Sequence, residues 1–324
     1  MSTQDRSKWR VAAFRINRKL ELRRRLHLPE PIAEFVDQYR GWIYLGPLAA
    51  FYVPFLLVPA VLVFLISLFS GGSIQTLTFV GLDNYINLLT GGLLYRVLGN
   101  TIAYTAGNFV LTVGGGLFFA LAIRAAYPQL RRLLQTAFLL PFAVMPVGVS
   151  LIWMFMYNQR EGVINTLLAS AGFNMQPHWL GDASLALPSI IIAGSWQSVG
   201  FYTLIWLVGL ENIDKSLYEA AKIDGANRWQ TFRYITLPQL KPIGLFLAIV
   251  SIMGSLRIFD YVWVMTQGGP ARSSEVMVTW MYKIGFARNS YGEASAIGVI
   301  LFVVIVVFAL ATSKISAAAG GASR

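Results

Sequence analysis

The chain reads as an all-α, polytopic membrane protein with six transmembrane helices, and three observations point there. Hydrophobic residues make up 56% of the 324 positions and charged residues 13%, against roughly 25% charged in a soluble domain. Mean hydropathy is +0.59. The apolar residues are gathered into runs near Trp42–Phe69, Leu98–Ile123, Leu134–Tyr157, Leu185–Leu210, Ile243–Met265 and Ala294–Thr312, each long enough to cross a hydrocarbon core about 30 Å thick. None of these runs alternates like the roughly ten-residue strands of a membrane barrel. Their backbone groups must therefore be satisfied within helices.

The runs carry distinct internal punctuation. Pro47, Pro54 and Pro59 interrupt the first, and Pro141 and Pro146 the third, which predicts kinks. Gly114, Gly115 and Gly116 in the second predict close helix packing. Trp153 and Tyr157, near the end of the third, read as residues of an interfacial aromatic belt. The fourth run presents Ser195, Trp196, Gln197, Ser198 and Tyr202. Aromatic faces beside hydrogen-bonding groups suit a sugar ring, so Gln197 and Tyr202 are substrate-path candidates; Trp and Tyr also serve interfacial belts and helix contacts, which is the plainer reading. In the fifth, Arg257 and Asp260 lie three apart, a spacing that pairs them on one helix face. Ionisable groups in a span usually face a bundle interior or an aqueous cavity, which makes this pair candidate path residues too.

The net charge of +11 is concentrated before the first run, in residues 1–41, as a basic cytoplasmic N-terminal tail. Arg6, Lys8, Arg10, Arg15, Arg18, Lys19, Arg23, Arg24, Arg25 and Arg40 lie there. Trp9, Val11, Phe14 and Ile16 would also let this tail lie on the membrane surface. Without a folded basic domain beside it, nucleic-acid binding is excluded. Arg124, Arg131 and Arg132 in the second connection, and Lys215, Lys222, Arg228, Arg233 and Lys241 in the fourth, put both connections on the cytoplasmic side. That gives a multi-pass membrane protein, N-in and C-in. Residues 42–313 form the membrane domain and 314–324 a short cytoplasmic C-terminal tail. Arg272, Lys283 and Arg288 in the fifth connection run against this pattern.

Catalysis and metal binding have no support. The chain has no cysteine and only two histidines, His27 and His178, on opposite sides of the expected membrane, so no catalytic residue and no metal site are assigned. It lacks a Gly-Lys dipeptide and hence the usual phosphate-cradling loop; no cofactor of its own is expected.

One polar loop, about 211–238, is built with more care than a linker needs. Asp214 can cap a short helix, Gly225 can end it in the left-handed region, and Asn227 with Gln230 can open a second helix as a capping box. The residues Glu219, Ala220, Ala221, Asp224, Gly225, Ala226, Phe232, Ile235, Leu237 and Pro238 resemble, in order and spacing, the EAA loop of binding-protein-dependent ABC importer permeases. Phe79-Val80-Gly81-Leu82-Asp83-Asn84-Tyr85, then Asn100-Thr101, and the stretch Phe259-Asp260 to Met265-Thr266-Gln267-Gly268-Gly269-Pro270 resemble the carbohydrate subset, of the maltose and glycerol-phosphate type. The resemblance spans about Trp42 to Ala311. It implies a coupling role for Glu219, Ala220, Ala221, Asp224, Gly225 and Ala226, and a cytoplasmic helix-turn-helix around them. It also implies a second permease subunit in a heterodimer, two cytoplasmic ABC ATPases that bind ATP and Mg, and an external solute-binding protein. A secondary transporter or channel is the alternative; it would need midplane coupling-ion carboxylates, and Asp260 is nearly the sole intramembrane acid.

Overall fold

The computed structural model describes residues 39, 45–72, 76–173 and 175–321. It divides at Leu62/Val63 into two compact units. In the first, the described residues are chiefly the start of α1 (Leu45–Ile66). A π-helical turn, Val53–Leu57, lies in α1, where the Val58 amide bonds back to Val53. That wider turn immediately precedes Pro59, whose ring would otherwise press on a carbonyl of the preceding turn.

In the second unit a short hairpin pairs β1 (Phe69–Ser70) with β2 (Thr78–Phe79) and leads into α2 (Asp83–Thr90). The spans follow as α3 (Leu93–Ala125), α7 (Ala186–Glu211) and α9 (Arg228–Ser255). α12 (Tyr291–Gly321) supplies the last span and runs on through most of the expected tail. Between α3 and α7 lie α4 (Pro128–Leu139), α5 (Pro146–Met156) and α6 (Val163–Ser170). α8 (Lys215–Ile223) precedes α9, while α10 (Asp260–Met265) and α11 (Met277–Tyr282) lie between α9 and α12. Among the described residues five helices are long and apolar enough to cross a membrane, or six if α4 and α5 count as one bent span.

α7 is the axis of this unit. Over half of its apolar window is buried, 56%, the largest share of any span. Small residues let neighbours reach its backbone. A Cβ at Gly200 would lie 1.7 Å from the Phe138 carbonyl oxygen, and one at Gly194 would lie 2.6 Å from the Tyr104 hydroxyl. The packing predicted for the glycine triplet holds at Gly116, where a Cβ would sit 2.9 Å from Tyr202; Gly114 faces open space.

Four expectations change. The third run is no single straight helix: α4 and α5 meet at 100°, because Pro141 and Pro146 both lack an amide and Val144 and Met145 between them are extended. The fifth span ends at Ser255, ten residues early, and its other end begins at Arg228 instead of near Ile243. The second helix of the polar loop is therefore the start of a span. A π turn, Phe232–Thr236, with Leu237 bonded back to Phe232, carries the helix past Pro238, as Val53–Leu57 does before Pro59. Finally, Trp153 and Tyr157 are buried among Ile190, Tyr261 and Val276 and are not belt residues; the Tyr157 hydroxyl donates to the Ser189 carbonyl at 3.1 Å. The basic N-terminal tail and its reading as a surface helix lie outside the described residues.

Candidate coupling loop and membrane polar seam

The polar loop closes as its sequence predicts. The Asp214 carboxylate accepts from the Ser216 amide at 2.9 Å, and that donor holds it below the usual carboxylate range. Gly225 takes φ +76°, a region that other residues enter at a cost. There the Ala226 amide reaches the Ala221 carbonyl at 2.9 Å and the Gly225 amide reaches Lys222 at 3.2 Å, the paired bonds of a Schellman stop. Asn227 and Gln230 exchange side-chain and backbone bonds at 2.8 and 2.9 Å.

α8 is fixed from beneath. The Tyr218 hydroxyl meets Thr236 at 3.1 Å, and Arg124 lies over the Tyr218 ring. Ala221 is buried while Glu219, Ala220, Asp224 and Gly225 are exposed and Ala226 is half-buried. The outer face also presents Ile223, 85% exposed, and Trp229, 69% exposed. Large apolar side chains exposed on a capped, buttressed element are the kind of surface that suits docking.

The four path candidates do not form one site. Arg257 and Asp260 are separated by the break after α9 and make no ion pair with each other among the described residues; Arg257 instead donates to the Met253 carbonyl at 3.2 Å. Both are exposed. Gln197 is buried, with its amide nitrogen on the Val144 carbonyl and its amide oxygen accepting from the Tyr261 hydroxyl. One side chain thus joins the bend between α4 and α5 to α10, the helix after the break. Tyr202 is buried in the α3–α7–α9 cluster with Trp206 and Leu247. Between these helices runs a polar seam. Ser195 donates to Asn108 at 2.9 Å, Asn108 donates to Ser255 at 2.8 Å, and Thr112 lies 3.3 Å from Ser251.

Sequence reasoning missed Glu275. It is 1% exposed, with the Lys283 ammonium at 2.6 Å and Arg272 at 3.6 Å. Asn100 donates to the carbonyls of Arg272 and Glu275 at 3.1 and 3.0 Å, and the Thr101 hydroxyl accepts from Met277 at 3.0 Å. Two distant motifs, Asn100-Thr101 and the stretch ending in Pro270, therefore serve one loop. Within it Thr266 lies 2.8 Å from Ser274, and Ser274 donates to Gly269 at 2.6 Å. An acid among basic residues in a polar connection was the available signal.

Residues 112–318 match the family model described as "Binding-protein-dependent transport system inner membrane component". The chain is 32% identical to the probable ABC transporter permease protein YurN of Bacillus subtilis (strain 168), over 81% of this chain and 95% of that protein. It is 31% identical to the arabinooligosaccharides transport system permease protein AraP of the same organism, over 85% and 88%. Identity to the trehalose/maltose transport system permease protein MalF of Thermococcus litoralis is 33%, over 85% and 92%. Among solved structures, a chain from a bacterial ABC transporter involved in alginate import superposes with a TM-score of 0.77 at 24% identity, covering 89% of this chain and 98% of that one. That likeness establishes the fold.

Proposed function

The chain belongs to the family of binding-protein-dependent transport system inner membrane components, and on that premise we propose that it is the permease subunit of an ABC importer for a carbohydrate or related polar solute. The relatives named above for arabinooligosaccharides and trehalose/maltose support the solute class. The subunit is no enzyme; ATP and Mg are bound by two separate cytoplasmic ATPases. An external solute-binding protein delivers the solute, and a second permease subunit completes the pore as a heterodimer. The N- and C-termini face the cytoplasm. Of the basic residues that opposed this orientation, Arg272 and Lys283 both lie against the buried Glu275.

One observation carries the coupling role: α8 and the start of α9 form a capped, buttressed pair that exposes Glu219, Ile223 and Trp229. Movement of an ATPase bound there passes directly into a span, because the second loop helix is continuous with α9. In this reading Arg257 and Asp260, exposed at the break in which α9 ends, meet the solute, and Gln197 supports that region through Tyr261. In the reconstituted complex, Glu219→Lys and Trp229→Ala should each abolish solute-stimulated ATP hydrolysis while the protein still inserts and assembles. Full stimulation in both variants would rule out docking through this loop.

A further inference from the structure

α7 and α9 leave a groove of about 490 Å³ between them, and we propose that it binds an anionic phospholipid of the cytoplasmic leaflet. This rests on the N-in, C-in orientation proposed above. The walls are Trp206 from α7 and Leu237, Gly244 and Leu245 from α9, and its cations are Arg233 and Lys241. Arg233 and Lys241 are eight residues apart, about 12 Å along the helix, and both are exposed. Their order matters: Arg233 opens the groove along α9, Leu237, Pro238 and Leu240 lie between it and Lys241, and only Gly244 and Leu245 line it beyond. A phospholipid has the same polarity, with phosphate above and acyl chain beneath.

The charge is free to be used. Neither cation forms an ion pair among the described residues, where the pairs are those of Glu275. Glu211, on α7 beyond Trp206, does not line the groove. The far wall is held in place, since the Trp206 indole donates to the Val113 carbonyl at 2.9 Å. A Cβ at Gly244 would lie 2.9 Å from that ring, so glycine lets the indole pack directly on α9. Basic pockets between spans on the cytoplasmic side suit anionic headgroups, and an unpaired cation there also gains from the negative surface potential.

The test is native mass spectrometry of the assembled transporter, extracted from nanodiscs holding phosphatidylglycerol and phosphatidylethanolamine in equal amounts. Wild type should retain phosphatidylglycerol preferentially. Arg233→Gln with Lys241→Gln should lower that retention about thirtyfold, or roughly fivefold per charge, equivalent to about 1 kcal/mol each. Arg233→Lys should keep it, which separates lost charge from misfolding. Equal retention of both lipids by wild type, or unchanged retention in the double variant, would overturn the proposal. So would cross-linking of position 233 to a partner subunit through the groove. Orientation is read separately by impermeant maleimide on an Arg228→Cys variant in intact cells. Labelling from outside would remove the cytoplasmic assignment whatever lipid is retained.

Discussion

Two connections of this permease, the coupling loop at about 211–238 and the loop between α9 and α11, order their backbones by opposite means. The turns of the coupling loop are closed by bonds that span five residues or fewer, and only Tyr218, on Thr236 and Arg124, reaches beyond them. Asp214 serves Ser216, Ala221 and Lys222 receive the amides of Ala226 and Gly225, and Asn227 exchanges bonds with Gln230. The side chains proposed to dock, Glu219, Ile223 and Trp229, stay exposed. The other loop is held by a buried carboxylate and by Asn100 and Thr101, more than 170 positions away in sequence. Local capping leaves a surface free to bind a moving partner and lets the element open on its own. A buried, long-range clamp ties its loop to the fold of the spans. Damage should therefore be local in the first and global in the second.

Glu275→Ala gives the largest expected effect. It leaves Lys283 without its 2.6 Å partner and removes the acid facing Arg272. Removing one member of a buried ion pair costs about 3–5 kcal/mol; with Lys283 and Arg272 32% and 41% exposed, the lower end, about 3 kcal/mol, applies here, a large share of the stability of any domain. The variant should lose most assembled transporter, measured as monodisperse complex after detergent extraction. Wild-type yield and thermal midpoint would show that the clamp is dispensable and collapse the contrast. Asn100→Ala should act in the same direction with a smaller size, about 1–3 kcal/mol, since it strips the Arg272 and Glu275 carbonyls of a donor in a partly buried place. Its thermal midpoint should lie between those of wild type and Glu275→Ala.

The same contrast explains what could be read from the amino-acid order. Caps and stops act within one turn, so Asp214, Gly225, Asn227 and Gln230 announced themselves. The fourth run was placed within one residue at each end, Leu185–Leu210 against Ala186–Glu211, because an apolar stretch with polar neighbours has sharp edges. The fifth run failed because hydropathy averages across a break: residues 256–265 are nearly as apolar as the helix before them. Arg257 and Asp260 were signs of interruption but were read as one helical face. The third run concealed its bend for a related reason, and its prolines gave the place of the bend but not its 100° size. Gln197 was singled out for polarity, yet its partners, Val144 and Tyr261, are set by the packing of two other segments. Glu275 was invisible because its worth depends on Asn100, Arg272 and Lys283 meeting in space.

The smallest effect belongs to Gly225→Ala, and it sharpens the comparison most. An added Cβ meets nothing within 4 Å, so no packing changes. The whole cost is backbone strain at φ +76°, about 1–2 kcal/mol for a residue other than glycine. Strain of that size can be released by opening the stop, which breaks the Gly225–Lys222 and Ala226–Ala221 bonds and frays the end of α8. Because these bonds are local, the spans need not respond. Hydrogen exchange at the amides of Gly225 and Ala226 should quicken about five- to thirtyfold, while amides within α7 and the thermal midpoint of the complex stay at wild-type values. Gly225→Asn should fall between, since asparagine enters the left-handed region more readily. Solute-stimulated ATP hydrolysis should drop in the same order, because Glu219 and Ile223 lose their fixed place beside Trp229. If Gly225→Ala instead lowered the midpoint as far as Asn100→Ala does, the coupling loop would be bound into the global fold, and the separation between a locally capped loop and a remotely clamped one would not hold.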